Sequence, residues 1–159
     1  FASAMTLLNK QDGEGADEGV SYINLAEFII QNGTNTKEDL KELWRRIVFN
    51  ICISNVDDHL RNHGFILADK GWRLSPAYDM NPIETGNGLK LNITEDDNSQ
   101  SLELARDAAK YFRLDLAEAN LIIDDVVGAV KPWRVIARKQ GVEKEISRME
   151  NAFRIVDQI

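Results

Sequence analysis

Between Thr36 and Ile53 the chain sets Leu40, Leu43, Trp44, Ile47, Val48 and Ile51 at helical spacing, with Thr36 able to cap and an acid at Asp39. The pattern predicts an amphipathic helix over residues 37–53. Its broad apolar face has to be covered by other parts of the chain, so it must be the central buried element. The sequence then changes character. Residues 54–63 are mostly polar and contain Asn55, Asp57, Asp58, His59, Arg61, Asn62 and His63. A polar loop leaving a buried helix is a firmly anchored place to present functional side chains.

The other elements are read around that helix. Tyr22–Gln31 has helical character and is expected to stop at Asn32-Gly33 in a left-handed turn. Gly64–Leu67 and Trp72–Leu74 read as two short strands around the turn Asp69-Lys70-Gly71. Residues 81–100 lack a period and form a long loop around an expected strand at Leu89–Ile93. Helical spacing returns at Leu102–Phe112, at Leu116–Val130 with Asp115 as cap, at Pro132–Gln140 stopped by Gly141, and at Val142–Val156. The expected fold class is mostly α, with one small β-hairpin beside the polar loop.

Composition narrows the function. With 159 residues, 43% of them hydrophobic and 28% charged, the chain reads as one soluble globular domain. No apolar run approaches the roughly 18 to 20 residues that cross a bilayer, and no signal-peptide pattern opens the sequence. The expectation is therefore a cytoplasmic protein with no membrane partner. The single cysteine, Cys52, lies in an apolar run, excludes an internal disulfide and reads as a core residue. A net charge of −7, with basic clusters only at Arg45-Arg46 and Arg134 to Lys139, argues against direct binding to nucleic acid. Residues 11–19 hold three glycines at 13, 15 and 19, but these miss the G-x-G-x-x-G spacing and their acidic neighbours would repel phosphate. That segment reads as a solvated loop, and Glu95-Asp96-Asp97-Asn98 as a solvated turn. Trp44 and Trp133 are expected in the core, with Trp72 packed on the hairpin.

The chemistry concentrates in Asn55-Val56-Asp57-Asp58-His59-Leu60-Arg61-Asn62-His63 and, beyond the hairpin, in Pro76-Ala77-Tyr78-Asp79-Met80. Phosphoryl transfer to a hydroxyl needs a carboxylate that orients the hydroxyl and accepts its proton, plus oxygen ligands that hold Mg²⁺ against the phosphates. Kinases supply these as an aspartate, an asparagine five residues on, and a second aspartate past a hairpin. Asp57, Asn62 and Asp79 have that arrangement. Adjacent aspartates cannot both face one hydroxyl, and the five-residue spacing selects Asp57 over Asp58.

Phe49-Asn50 together with the segment Asn55 to Gly64 resembles the catalytic segment of the HipA-like serine/threonine protein kinases. Gly71-Trp72-Arg73-Leu74-Ser75-Pro76-Ala77-Tyr78-Asp79-Met80-Asn81-Pro82 resembles their metal-binding segment. The Asp-x-His-x-x-Asn core also resembles the catalytic loop of phosphoinositide kinases. The resemblance implies that Asp57 is the catalytic base, that Asn62 and Asp79 bind Mg²⁺, and that ATP is the co-substrate. His59 and Asp58 would support the loop, the His59 ring being bonded to nearby backbone or carboxylate. It further implies a bacterial toxin of a toxin–antitoxin pair, acting on a protein of the translation machinery and held by a helix-turn-helix antitoxin.

The chain begins at Phe1, and no strand-borne lysine precedes the catalytic loop. Residues 1–159 are accordingly expected to be a single C-terminal kinase lobe from a longer protein, without the N-terminal ATP-binding lobe and inactive alone. Two other classes stay open at this point. One is a metal-dependent hydrolase using Asp57, His59 and His63 as zinc-type ligands. The other is a non-catalytic helical interaction domain whose acids are merely solvated.

Overall fold

In chain order the elements are β1 (Ala2–Ser3), α1 (Ala4–Leu7), α2 (Tyr22–Asn32), α3 (Thr36–Ile53), β2 (Gly64–Ala68), β3 (Gly71–Leu74), α4 (Leu102–Ala108), α5 (Leu116–Val130), α6 (Trp133–Lys139), α7 (Ile146–Met149) and α8 (Arg154–Asp157). They come from a computed structural model that describes residues 1–159. As the periodicity requires, α3 is the axis of the molecule. Leu40, Leu43, Trp44, Ile47, Val48 and Ile51 are completely enclosed, with α2, α4 and α5 packed around them. The indole N–H of Trp44 finds the Ala105 carbonyl of α4 at 3.1 Å, which satisfies its one polar atom inside the core. Cys52 is fully buried beside them, and burial pushes its thiol up to about 12, so it is a core residue and no nucleophile.

The expected hairpin forms between β2 and β3, with Phe65 opposite Leu74 and Ala68 opposite Gly71. A third strand, β1, pairs antiparallel with the other edge of β2 through Ala2 and Ser3. Two residues are too few to show a period of two in the sequence, which is why that strand was not legible. The sheet is joined to α3 by Asp39. Its carboxylate accepts the Leu74 N–H at 3.0 Å and three hydrogen bonds from the Arg73 guanidinium, at 3.0, 3.1 and 3.3 Å.

Four local expectations fail. Thr36 begins α3 rather than capping it, and the cap position falls to Asn35. Gly33 is extended (φ −81°, ψ 149°), not left-handed. Glycine is needed there for space, because a Cβ would lie 2.5 Å from the Ile29 carbonyl oxygen. Leu89, Leu91 and Ile93 do alternate into the core. They make no strand, since the only bridge nearby is the isolated pair Ser21 and Asn92. Finally, Val142–Val156 is not one helix but a 3-10 turn followed by α7 and α8. The interruption has a polar cause: the Ala152 carbonyl is taken by Ser54 Oγ at 2.7 Å and the Asn151 carbonyl by Arg154 at 2.9 Å. Side chains capture carbonyls that a continuous helix would give to its own amides.

By contrast, α5 starts where the sequence placed it. Asp115 Oδ1 accepts the Glu118 N–H at 2.8 Å while Glu118 accepts the Asp115 N–H at 3.2 Å, a reciprocal capping box.

Replacing Asp39 by alanine should cost about 2 kcal/mol, because it strands the buried Leu74 N–H. Arg73→Ala should cost under about 1 kcal/mol, since the arginine side chain is 42% exposed. Urea unfolding of the two variants checks this, and equal losses would contradict the assignment of the anchor to the Leu74 bond.

Candidate active site

The polar loop starts where α3 is forced to stop. Ser54 adopts a left-handed conformation (φ 52°, ψ 47°), and the Asn55 N–H closes back on the Asn50 carbonyl at 2.9 Å. Short backbone bonds then fold the loop tightly. Val56 N–H reaches Ser54 O at 2.9 Å, His59 N–H reaches Asp57 O at 2.9 Å, and Asn62 N–H reaches His59 O at 2.9 Å. In so tight a turn neighbouring side chains diverge. Asp57 is exposed and Asp58 is buried.

Asp58 lies at the centre of an enclosed polar cluster. Its Oδ2 accepts hydrogen bonds from the Tyr22 hydroxyl at 2.5 Å, the Asn50 amide at 2.8 Å and His63 Nε2 at 2.7 Å. Asn50 Oδ1 in turn accepts from the Asn55 amide at 3.0 Å. Burial pushes the Asp58 carboxyl up, but the charge of His63 and the hydrogen bonds from His63 and Tyr22 outweigh it, leaving the group below the usual carboxylate range. An ionised Asp58 accepts only, so the proton between it and His63 resides on Nε2. Tyr22 is held well above the usual phenol range, first by burial and then by the Asp58 charge. The cluster joins α2, α3 and both ends of the loop.

His59 does not do what was expected of it. Its ring is bonded to neither backbone nor carboxylate. Nε2 faces the Arg61 guanidinium at 3.4 Å and Nδ1 has no partner. His63 takes the carboxylate instead, because it is the histidine that follows the turn back under the loop and into the core. Arg61 points outward and pairs with Asp12 at 3.0 Å.

Asn62 is nearly enclosed, and its Nδ2 donates to the Asp57 carbonyl at 3.3 Å. That bond turns the amide so that Oδ1, which accepts nothing within the chain, is the free end. Asp79 is exposed, left-handed (φ 55°), and braced by the Asn81 amide on its Oδ1 at 2.8 Å. The Asp79 segment is brought to the loop by Tyr78, whose hydroxyl donates to the Arg61 carbonyl at 2.6 Å. Upstream it is fixed by Arg46 of α3, which donates to the Ser75 carbonyl at 2.6 Å. The loop and the segment beyond the hairpin are therefore neighbours. The partners of Tyr22, Arg46 and Tyr78 in this site are not legible in the sequence, because nothing local marks a bond to a residue distant along the chain.

Asn62 and Asp79 offer an amide oxygen and a carboxylate, hard donors of the type Mg²⁺ takes. The histidines assemble no zinc-type ligand set. His63 is 1% exposed and committed to Asp58, and no three His, Cys, Asp or Glu side chains converge as ligands. The two histidines also flank the 3-10 turn Leu60–Asn62 and do not share the face of a helix.

The chain is thus a helical domain with one small sheet, in which a tight acidic loop is set against the segment beyond a hairpin. Residues 1–133 match the family described as HipA-like C-terminal domain, and the chain belongs to that family. It is 38% identical over 79 residues to a kinase-named protein of Haemophilus influenzae, covering 48% of this chain and 23% of that one. It is 33% identical over 129 residues to a kinase-named protein of Sinorhizobium fredii, covering 76% and 29%. Among solved structures, HipA of the Shewanella oneidensis MR-1 toxin–antitoxin system, in complex with HipB and operator DNA, superposes with a TM-score of 0.72. The alignment is 17% identical and covers 98% of this chain and 41% of that one, a likeness of fold. The chain thus spans about a quarter of the length of these curated relatives. No helix is long and apolar enough to cross a membrane.

The cluster generates a pH prediction. The Asp58 carboxyl is lower in the folded chain than in the unfolded one. Its stabilisation is therefore complete above the unfolded carboxyl range and is lost as pH falls below about 4. Asp58→Asn should cost about 2 to 3 kcal/mol at pH 7 and show a shallower loss of stability from pH 5 to pH 3. Urea titrations at each pH measure it, and parallel acid limbs would contradict the role given to this carboxylate.

Proposed function

We propose that this chain is the catalytic C-terminal lobe of a protein kinase that moves the γ-phosphoryl group of ATP onto a serine or threonine hydroxyl of a protein. In this reading Asp57 orients the acceptor hydroxyl and takes its proton, while Asn62 and Asp79 hold Mg²⁺. The observation that carries the proposal is the division between the two adjacent aspartates. Asp58 is consumed by three buried donors, which leaves Asp57 exposed on a braced loop, its carbonyl bonded by the Asn62 amide.

Asn62 and Asp79 would hold Mg²⁺, which would supply charge compensation at the phosphates when bound. The chain's own contribution is to place groups. Asp57 draws the hydroxyl into line. As the oxygen forms its bond to the γ-phosphorus, the bond to the bridging oxygen of ADP breaks and the hydroxyl proton passes to the Asp57 carboxylate. Asn62 presents Oδ1 because its Nδ2 is tied to the Asp57 carbonyl. Asp58 and His63 take no part in the chemistry and keep the loop in shape.

ATP also has to be gripped at its phosphates by a lysine–glutamate pair, which we assign to a second lobe outside these residues. Residues 1–159 alone should then show no transfer from labelled ATP above background, and should bind ATP more weakly than about 100 μM. The toxin role, an antitoxin partner of the helix-turn-helix type and a substrate in the translation machinery belong to the same proposal. Their support is the family and the likeness to HipA in its complex with HipB and operator DNA.

In the full-length protein, Asp57→Asn should lower kcat by about 10²- to 10⁴-fold with ATP binding retained, as loss of a general base does. Asp58→Asn should leave kcat within about tenfold and lose folding stability instead. Phosphotransfer assays beside nucleotide titrations separate the two. Turnover that survives Asp57→Asn and dies with Asp58→Asn would transfer the base role to Asp58, and full activity in both would end the kinase reading of this loop.

A further inference from the structure

The segment that carries Asp79 is poorly tethered for a part expected to hold a metal ligand. Upstream it is fixed at Ser75, whose N–H bonds the Gly64 carbonyl at 2.8 Å and whose carbonyl accepts Arg46 at 2.6 Å. Downstream it is fixed again at Ile83, whose N–H reaches the Ser54 carbonyl at 3.3 Å. Between these points the chain has no regular structure and makes no backbone–backbone hydrogen bond; the Pro76 carbonyl accepts only the adjacent Ser75 Oγ, at 3.0 Å. Pro76, Ala77, Tyr78 and Asp79 are all exposed. One bond crosses from this stretch to the catalytic loop, from the Tyr78 hydroxyl to the Arg61 carbonyl at 2.6 Å.

The two ends of that bond are placed tellingly. Tyr78 immediately precedes Asp79, and Arg61 immediately precedes Asn62. A single hydroxyl thus links the residue before one proposed ligand to the residue before the other. The Asn81 amide on Asp79 Oδ1 braces the carboxylate within its own segment and says nothing about its distance from Asn62. The Phe1 ring lies 6.3 Å from the Tyr78 ring, tilted, and limits where the phenol can swing.

We infer that Tyr78 is a positioning residue for the metal site. Its hydroxyl sets the separation of Asn62 and Asp79, so that both oxygens meet one cation without a search by the loose segment. The inference rests on the reading of Asn62 and Asp79 as Mg²⁺ ligands. It predicts an effect on metal demand and not on the chemical step, because the bond touches neither Asp57 nor the acceptor site.

The test is steady-state phosphotransfer by the full-length protein at saturating ATP with Mg²⁺ varied, for wild type, Tyr78→Phe, Asp79→Asn and Ser101→Ala. Phenylalanine keeps the ring and its packing and removes only the hydroxyl. Tyr78→Phe should raise the Mg²⁺ concentration for half-maximal rate about 3- to 10-fold, the share of one hydrogen bond, and leave kcat at saturating Mg²⁺ within about twofold. Ser101→Ala removes a helix cap whose hydroxyl bonds no residue of the site, the Ser101 Oγ that accepts the Leu104 N–H at 3.2 Å. It costs comparable stability and should leave the Mg²⁺ dependence unchanged. If Asp79→Asn shifts the Mg²⁺ dependence but Tyr78→Phe does not, or shifts it no more than Ser101→Ala does, the positioning role is wrong and the metal assignment stands. If Asp79→Asn leaves the Mg²⁺ dependence unchanged, the metal assignment fails and the role of Tyr78 falls with it.

Discussion

Three hydrogen bonds converge on a single oxygen of Asp58, from Tyr22 on α2, Asn50 on α3 and His63 at the start of the hairpin. A carboxylate enclosed to this degree is stable only when its lone pairs are satisfied, because desolvation disfavours the ionised form and an unpaired buried charge is costly. The satisfaction is long-range: Tyr22 lies 36 positions from Asp58. The shape of the loop therefore depends on how α2 and α3 pack together. Placement of Asp57, the orientation of Asn62 and the start of β2 all follow from that one buried charge.

The same logic runs along α3. The helix is apolar on most of its surface, yet Asp39, Arg46 and Asn50 are all buried on it. Each reaches a different part of the site region. Asp39 holds β3 at Leu74, Arg46 holds the segment after the hairpin at Ser75, and Asn50 holds the loop at Asp58. Just beyond the helix, Ser54 ties the C-terminal region through the Ala152 carbonyl. The helix and the residue that follows it thus fix one strand and three pieces of irregular chain. That is how loops come to hold side chains with the accuracy that positioning demands.

This arrangement leaves the two halves of the site unequal. The 54–63 loop is cross-braced by its own backbone and by the buried cluster, whereas the Asp79 segment hangs between anchors at Ser75 and Ile83. Asp79 itself is left-handed (φ 55°), a conformation that aspartate tolerates better than most residues but one that surrounding contacts still have to maintain.

The amino-acid sequence by itself determined the helical class, the central helix, the hairpin and the capped start of α5, and its five-residue spacing set the expectation of Asp57 over Asp58. Each of these is written in residues close together: apolar period, turn chemistry, a capping box, a five-residue spacing. Tertiary structure alone decided that His63 and not His59 takes the buried carboxylate. It also decided that Tyr22 completes the cluster, that Tyr78 bridges the two halves, and that Val142–Val156 breaks into short pieces around carbonyls captured by Ser54 and Arg154. The physical reason is common to all four. Periodicity reports which face of an element is dry, whereas the partner of a buried polar group is settled only when distant segments meet. Ser54 and Ala152 lie 98 positions apart, and no local pattern announces their bond.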